Sequence, residues 1–567
     1  MATPGIDLQR TPASSTKRAS YRSGFAFGTL GFLCVAVVGV ISTILTARLY
    51  GVRIIGEFAL VWAPVAALWN LSTIKEQQAL IKEITGLPAR HARVTQLFAA
   101  VFTFSVGLTV GMATLDAVVC LVVFPGPLHA PALLAPALIN IAGYVIVTNI
   151  GWNIDSIFSA FVAGRQLFWV RLHEALSFIA IAMIIGVTWR SVWGLVIAII
   201  GSSFTSLIHR MIWVRPFVRM RLTLKEYRSG LKVLPELLRF GLKATPGQIA
   251  QAASQQGGVW ALGMVAPVAV VGAYSRAQTI PQRLQQASMR ITEVLYPTLV
   301  GRHKEGDGHG FDRALIDSIR YEVIGMLLIA AVIGGAARSI LKVFGPGFSI
   351  ATTALALLAI FPALASITVT QTQALWATNR PALTSVIAVL RLIITVALLV
   401  ILTPSIGITG PAIALLAGYL MVIVISGAAL HSTLSRPMRI TWPLRERVAL
   451  ATAYAAGFTA AKLVEHAFPS VVGLPFCLVA GTVVYAVVFL VCGGLNSRDR
   501  RRFSQVIDMG RSWREHRLAS RQHNREFVQS TATAGPMPAA DGYLTADKDL
   551  TDRDQITADW RASRSEM

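Results

Sequence analysis

Arg276, Arg283 and Arg290 stand seven residues apart in the stretch YSRAQTIPQRLQQASMR, with apolar sequence on both sides. A seven-residue spacing drifts only about 20° around a helix, so the three share one face over roughly 21 Å. A guanidinium presents paired N–H donors and keeps its charge, which suits a diphosphate better than an ammonium would. Amides surround this ladder: Gln248, Gln251 and Gln255, with Gln256 beside them, lie upstream, and Gln282, Gln285 and Gln286 flank the arginines. An amide both donates and accepts, so it can hold sugar hydroxyls without a charge. Trp62 and Trp69 are also seven apart and offer faces for a sugar ring, although such residues more often serve as packing. Asp116 and Asp155 are isolated acids in apolar runs, the usual place for a proton or sodium relay. Arg391 is a further charge in an apolar run, expected to pair within its own group of helices.

These residues need a scaffold, and composition sets its class. The chain has 567 residues, 54% hydrophobic and 14% charged, with a mean hydropathy of +0.60. Soluble domains carry about 25% charged residues, so this is a polytopic membrane protein. Runs long enough to span number fourteen by eye, beginning with 25–47 and 54–74 and ending with 446–467 and 470–493. An arginine at the bilayer centre costs upward of about 2.5 kcal/mol, so the ladder should face a wet interior rather than lipid.

The net charge of +23 raises the question of nucleic acid, and its distribution answers it. With the N-terminus inside, only Arg48, Arg53, Arg190, Arg338, Lys342 and Lys462 fall on outer loops. Lys243, Arg276, Arg283, Arg290 and Arg391 lie within spans, and the other basic residues collect on inner loops and the C-terminal tail. That is the positive-inside pattern, which places both termini in the cytoplasm and assigns the excess to anionic lipid. No nucleic-acid partner is expected. Cys34, Cys120, Cys477 and Cys492 sit in apolar runs at unrelated spacings, so neither a metal site nor a disulfide framework is expected, and no cofactor motif is present.

A repeat organises the spans. Gly56-Glu57-Phe58 recurs as Gly272-Ala273-Tyr274 at an offset of about 216, Arg165 as Arg380 at about 215, and Gly194 as Gly410 at about 216. The expected architecture is all-α: a basic segment 1–24, a six-helix lobe 25–213, a basic cytoplasmic linker 214–236, a second six-helix lobe 237–431, two helices in 446–493, and a disordered cytoplasmic tail 497–567. Lobes of six helices enter the membrane in the same sense, so an axis along the membrane normal relates them and the substrate path lies between.

Several stretches in order resemble one family. LYGVRIIGEFALVWAPVAAL and EQQALIKEI open the first lobe. LLRFGLKATPGQI, VVGAYSRAQTIPQRL, EVLYPTLVGRHKEGD, KVFGPGFSIATTALALLAI and NRPALTSVIAVLRLIITVALLVI follow in the second. Over roughly 25–435 the chain resembles the polysaccharide flippases of the multidrug/oligosaccharidyl-lipid/polysaccharide exporter superfamily. That resemblance implies a transporter, not an enzyme, in a bacterial cytoplasmic membrane. It would move a polyprenyl-pyrophosphate-linked oligosaccharide from the inner to the outer leaflet by alternating access, for cell-surface polysaccharide or cell-wall synthesis. Arg276 and Pro281 match the arginine and proline of the lipid II branch, whereas the charges that branch carries in its first helix have no counterpart in 25–47. A multidrug-type antiporter of the same superfamily is the alternative, usually with an acidic cavity. A membrane glycosyltransferase would need acid–base residues on its outer loops, and PGPLHAP and TPSIGIT offer almost none. The tail could also recruit cytoplasmic or envelope-synthesis partners.

Overall fold

The computed structural model describes residues 21–72, 76–85, 87–219, 223–433 and 443–494, and every regular element among them is helical. The first two expected spans form one long element, α1 (Tyr21–Leu71). It breaks at Gly51, whose φ of 79° is a backbone state that glycine enters at no steric cost. The short α2 (Glu76–Ile84) leads into α3 (Ala92–Val123). Next come α4 (Leu134–Gly143) and α5 (Asn149–Ala160), joined through one turn of π-helix at Tyr144–Thr148. Two plain spans follow, α6 (Gly164–Thr188) and α7 (Val192–Val214).

The second half begins with α8 (Leu224–Val265), which starts inside the segment expected as a linker. Tyr227, Leu231 and Leu234 recur every three or four residues there and are half-buried, whereas Leu224 at the helix start stays exposed. Indeed Val233 and Leu234 lie on the core formed by α2, α3 and α5. Then come α9 (Val268–Lys304) and α10 (Gly308–Gly335), followed by α11 (Ala337–Phe344) after a 69° bend. The remaining elements are α12 (Thr352–Leu358), α13 (Phe361–Ala377), α14 (Pro381–Ile406), α15 (Gly410–Thr433), α16 (Leu444–Ala467) and α17 (Leu474–Val491). By length and apolarity alone, eight described segments qualify as spans, or nine when α10 and α11 count as one. That criterion does not return fourteen, because Cys34–Trp69 and Ala382–His431 are each long enough for two crossings, and the more polar α8, α9 and α16 fall below it.

Packing follows the repeat. In the first half α1 lies on α6 and α6 on α7; in the second, α8 lies on α14 and α14 on α15. The halves meet where α1 crosses α9. A Cβ on Gly56 would strike the Val268 carbonyl oxygen and come within 2.9 Å of the Gly272 nitrogen. A Cβ on Gly272 would strike the Val52 carbonyl oxygen and come within 2.8 Å of the Gly56 nitrogen. These contacts are reciprocal: each residue and its counterpart 216 positions on exchange roles, as a two-fold axis between the glycines requires. In lipid, where apolar surface alone drives little association, backbone approach of this kind is what holds helices together.

The last two helices brace α10 and α11. Arg320 on α10 pairs with Glu446 on α16 at 2.9 Å, and the Tyr485 hydroxyl on α17 donates to the Ile324 carbonyl at 2.9 Å. Buried Glu465 on α16 accepts the Ser339 backbone N–H at 2.8 Å in the first turn of α11, where orphan donors need a partner.

Candidate functional site

The arginine ladder lies on α9, which packs against α1, α8 and α13. Pro267 caps the helix start, and Pro281 lies within it, where its ring nitrogen leaves the Ala277 carbonyl without its helical donor. Arg276 is half-buried, and its Nε is buried with no hydrogen-bond partner. Arg283 is exposed, about 10 Å further along the axis, and its Nη1 donates to Gln286 Oε1 at 3.4 Å. Among the described residues no carboxylate pairs with either. Arg290 belongs to α9, but its side chain lies outside the described residues, as does that of Gln248 on α8.

The amides divide by burial. Gln251, Gln255 and Gln256 on α8 and Gln282 on α9 are half-buried, Gln286 is exposed, and Gln285 is buried. A residue absent from the sequence-derived set joins the two helices: Gln278 Nε2 donates to the Gln255 carbonyl at 2.7 Å. A glutamine one turn before Gln282 was the available signal. Adjacent faces of α8 and α9 therefore present amides beside two unneutralised cations.

The tryptophans are held by the first half of the fold. Trp62 stacks on Phe58 at 6.3 Å between centroids and packs on the main core. Trp69 meets Trp152 of α5 edge to face at 3.7 Å and keeps 38% exposure. They lie on α1 C-terminal to Gly56, as the arginines lie C-terminal to Gly272 on α9.

The two acids differ sharply. Asp116 on α3 is buried, and its Oδ2 has no partner among the described residues. Asp155 on α5 is bound on both oxygens by Arg210 of α7, Nε to Oδ1 at 2.8 Å and Nη2 to Oδ2 at 3.3 Å. Arg210 also reaches Glu174 on α6 at 3.0 Å and the Ser206 hydroxyl at 2.8 Å. This closed network was not foreseen, because Arg210 reads as an inner-loop cation at the end of α7. The spacing of Ser203, Ser206 and Arg210 on one face was the signal. Glu322 on α10 was missed as well; it is buried, accepts from Thr370 of α13 at 3.0 Å, and leaves Oε1 unpartnered.

Residues 22–303 match the family described as polysaccharide biosynthesis protein. Among solved structures, the lipid II flippase MurJ in an inward closed conformation superposes with a TM-score of 0.63, covering 83% of this chain and 99% of that one at 12% identity. An outward-facing multidrug resistance MATE family transporter of the MOP superfamily gives 0.54, covering 74% and 97% at 14% identity. A MOP superfamily transporter from Pyrococcus furiosus, described as having a binding pocket of reverse polarity, gives 0.52, covering 75% and 99% at 14% identity. No curated protein matches in sequence. Likeness at these identities concerns the fold, which is that of a polytopic, multi-pass membrane protein and is similar to those of MurJ and the MATE transporter. The match at residues 22–303 identifies about half of the chain with the polysaccharide biosynthesis protein family.

Proposed function

We propose that this protein is a flippase that moves a polyprenyl-pyrophosphate-linked oligosaccharide from the inner to the outer leaflet of a bacterial cytoplasmic membrane, with both termini inside. The observation that carries this reading is the pair Arg276 and Arg283, two cations on one helix with no carboxylate against them among the described residues and amides alongside. A guanidinium without a counter-charge in a membrane protein, half-buried at Arg276 and exposed at Arg283, is a site for an anion that comes and goes. The diphosphate engages the arginines in turn, Gln251, Gln255, Gln282 and Gln286 hold sugar hydroxyls, and the polyprenyl tail stays in lipid. Lobes 25–213 and 237–431 rock about the Gly56–Gly272 contact to alternate access. The family description and the MOP-type fold both support transport of a polysaccharide precursor. The cationic face argues against a carrier of cationic drugs. Asp116, whose Oδ2 has no partner among the described residues, is the stronger ion-coupling candidate, since Asp155 already has a partner.

Depletion of the protein in its host, followed by extraction of polyprenyl-linked intermediates, tests this. One sugar-linked pyrophosphate should accumulate on the inner leaflet, and its head group tells lipid II from another glycan. If nothing accumulates and surface glycans stay normal, the reading fails.

A further inference from the structure

We propose that the protein holds a second anion site, for a monatomic inorganic anion such as chloride, buried between α14 and α15 and centred on Arg391. The proposal stands apart from the transport reading and needs no step of it.

Arg391 lies ten residues into α14, about 15 Å from its start, and is 3% exposed. Among the described residues three arginines are buried to about that degree, and two of them are neutralised. Arg210 is held by Asp155 and Glu174, and Arg320 pairs with Glu446. Arg391 has no carboxylate partner among the described residues, and its Nε and Nη2 are both buried and unpartnered. Those two nitrogens form one edge of the guanidinium, with their N–H bonds side by side. It is the same edge through which Arg210 grips both oxygens of Asp155. The fork at Arg391 is thus set as though for an anion, and none of the described side chains supplies one.

The surroundings point the same way. The Tyr419 ring of α15 covers a face of the guanidinium, 4.6 Å from Cζ to centroid, which leaves the edge as the route of approach. Phe361 of α13 packs edge to face on that ring at 5.1 Å and holds it in place. Two further donors are spare. The Thr395 hydroxyl, one turn beyond Arg391, and the Tyr419 hydroxyl are buried without partners among the described residues. A guanidinium cannot shed its proton to escape an apolar interior, so its charge must be met by an opposite one. Size favours a monatomic ion: a Cβ on Gly418 would strike the Thr395 hydroxyl and come within 3.2 Å of Arg391 Cγ, so α14 and α15 leave little room for an oxyanion.

The test uses the full-length protein in nanodiscs of neutral lipid, at constant ionic strength, with potassium gluconate replaced stepwise by chloride, bromide or phosphate. Chloride and bromide should raise the thermal unfolding midpoint in a saturating way, whereas gluconate and phosphate should not. Arg391→Gln should abolish the halide response. Should that variant fail to fold, Thr395→Val retains the charge and should raise the half-saturating halide concentration several-fold. Equal midpoints in all salts would mean that the fork is only hydrated and would overturn the proposal. So would a halide response that survives Arg391→Gln, an unchanged half-saturation in Thr395→Val, or saturation by phosphate below the halide concentration.

Discussion

Alanine at Gly56 cannot be accommodated without moving a helix. Its Cβ would collide with a backbone carbonyl, that of Val268, and sit 2.9 Å from the Gly272 nitrogen, so no side-chain rotation relieves it. Overpacking at a tight contact costs about 1–3 kcal/mol. If that cost falls on one arrangement of the two halves, it shifts their equilibrium by about 5- to 150-fold. Gly272→Ala should cost a similar amount, because its Cβ meets Val52 in the reciprocal way. The double variant is the informative one. Once either alanine has pushed α1 from α9, the second finds the space already open, so the two effects should fall short of their sum by at least about 0.5 kcal/mol. Unfolding free energies of the four proteins in nanodiscs measure the coupling. Single variants within about 0.5 kcal/mol of the parent, with strictly additive effects, would refute a direct contact between the two helices.

Other outcomes follow from the remaining geometry. Arg283→Ala should abolish transport of the lipid-linked precursor in a vesicle flipping assay, and Arg283→Lys should leave it strongly reduced, because lysine cannot offer the bidentate fork; full activity in both removes Arg283 from the path. Asp155→Ala leaves Arg210 buried beside Glu174 alone and should destabilise by about 3–5 kcal/mol, read by unfolding. Asp307, between α9 and α10, is held below the usual carboxylate range by the Gly310 backbone N–H it accepts at 2.8 Å and then by Arg302. Its contribution is full above the unfolded value of about 3.9 and is lost as pH falls through the lower folded value. Hydrogen exchange in the first turn of α10 should therefore quicken in that acid window, and Asp307→Asn should remove the dependence; a pH-independent rate in the parent protein would count against it.

Much of this protein is one-dimensional information. Apolar run length is a property of contiguous residues, and the bilayer imposes it directly, so the helical, multi-pass class is legible without any contact. The 216-residue offset and the heptad spacing of Arg276 and Arg283 are legible for the same reason, as is their shared helix. Burial and pairing are not, since they depend on residues far apart in the chain. Asp116 and Asp155 look alike in sequence, yet only the second meets an arginine, across α5 and α7. Trp62 and Trp69 look like a matched pair, yet one joins the core and the other meets Trp152. Arg391 was expected to pair within its own lobe, and among the described residues its Nε and Nη2 are left without a partner.

The sequence by itself determined the helical, multi-pass class and is the source of the proposed orientation and doubled plan, because each rests on composition or spacing along the chain. Tertiary structure alone decided which charges are neutralised and where the halves touch. Those depend on helix packing within a few ångströms, which no spacing in the chain encodes.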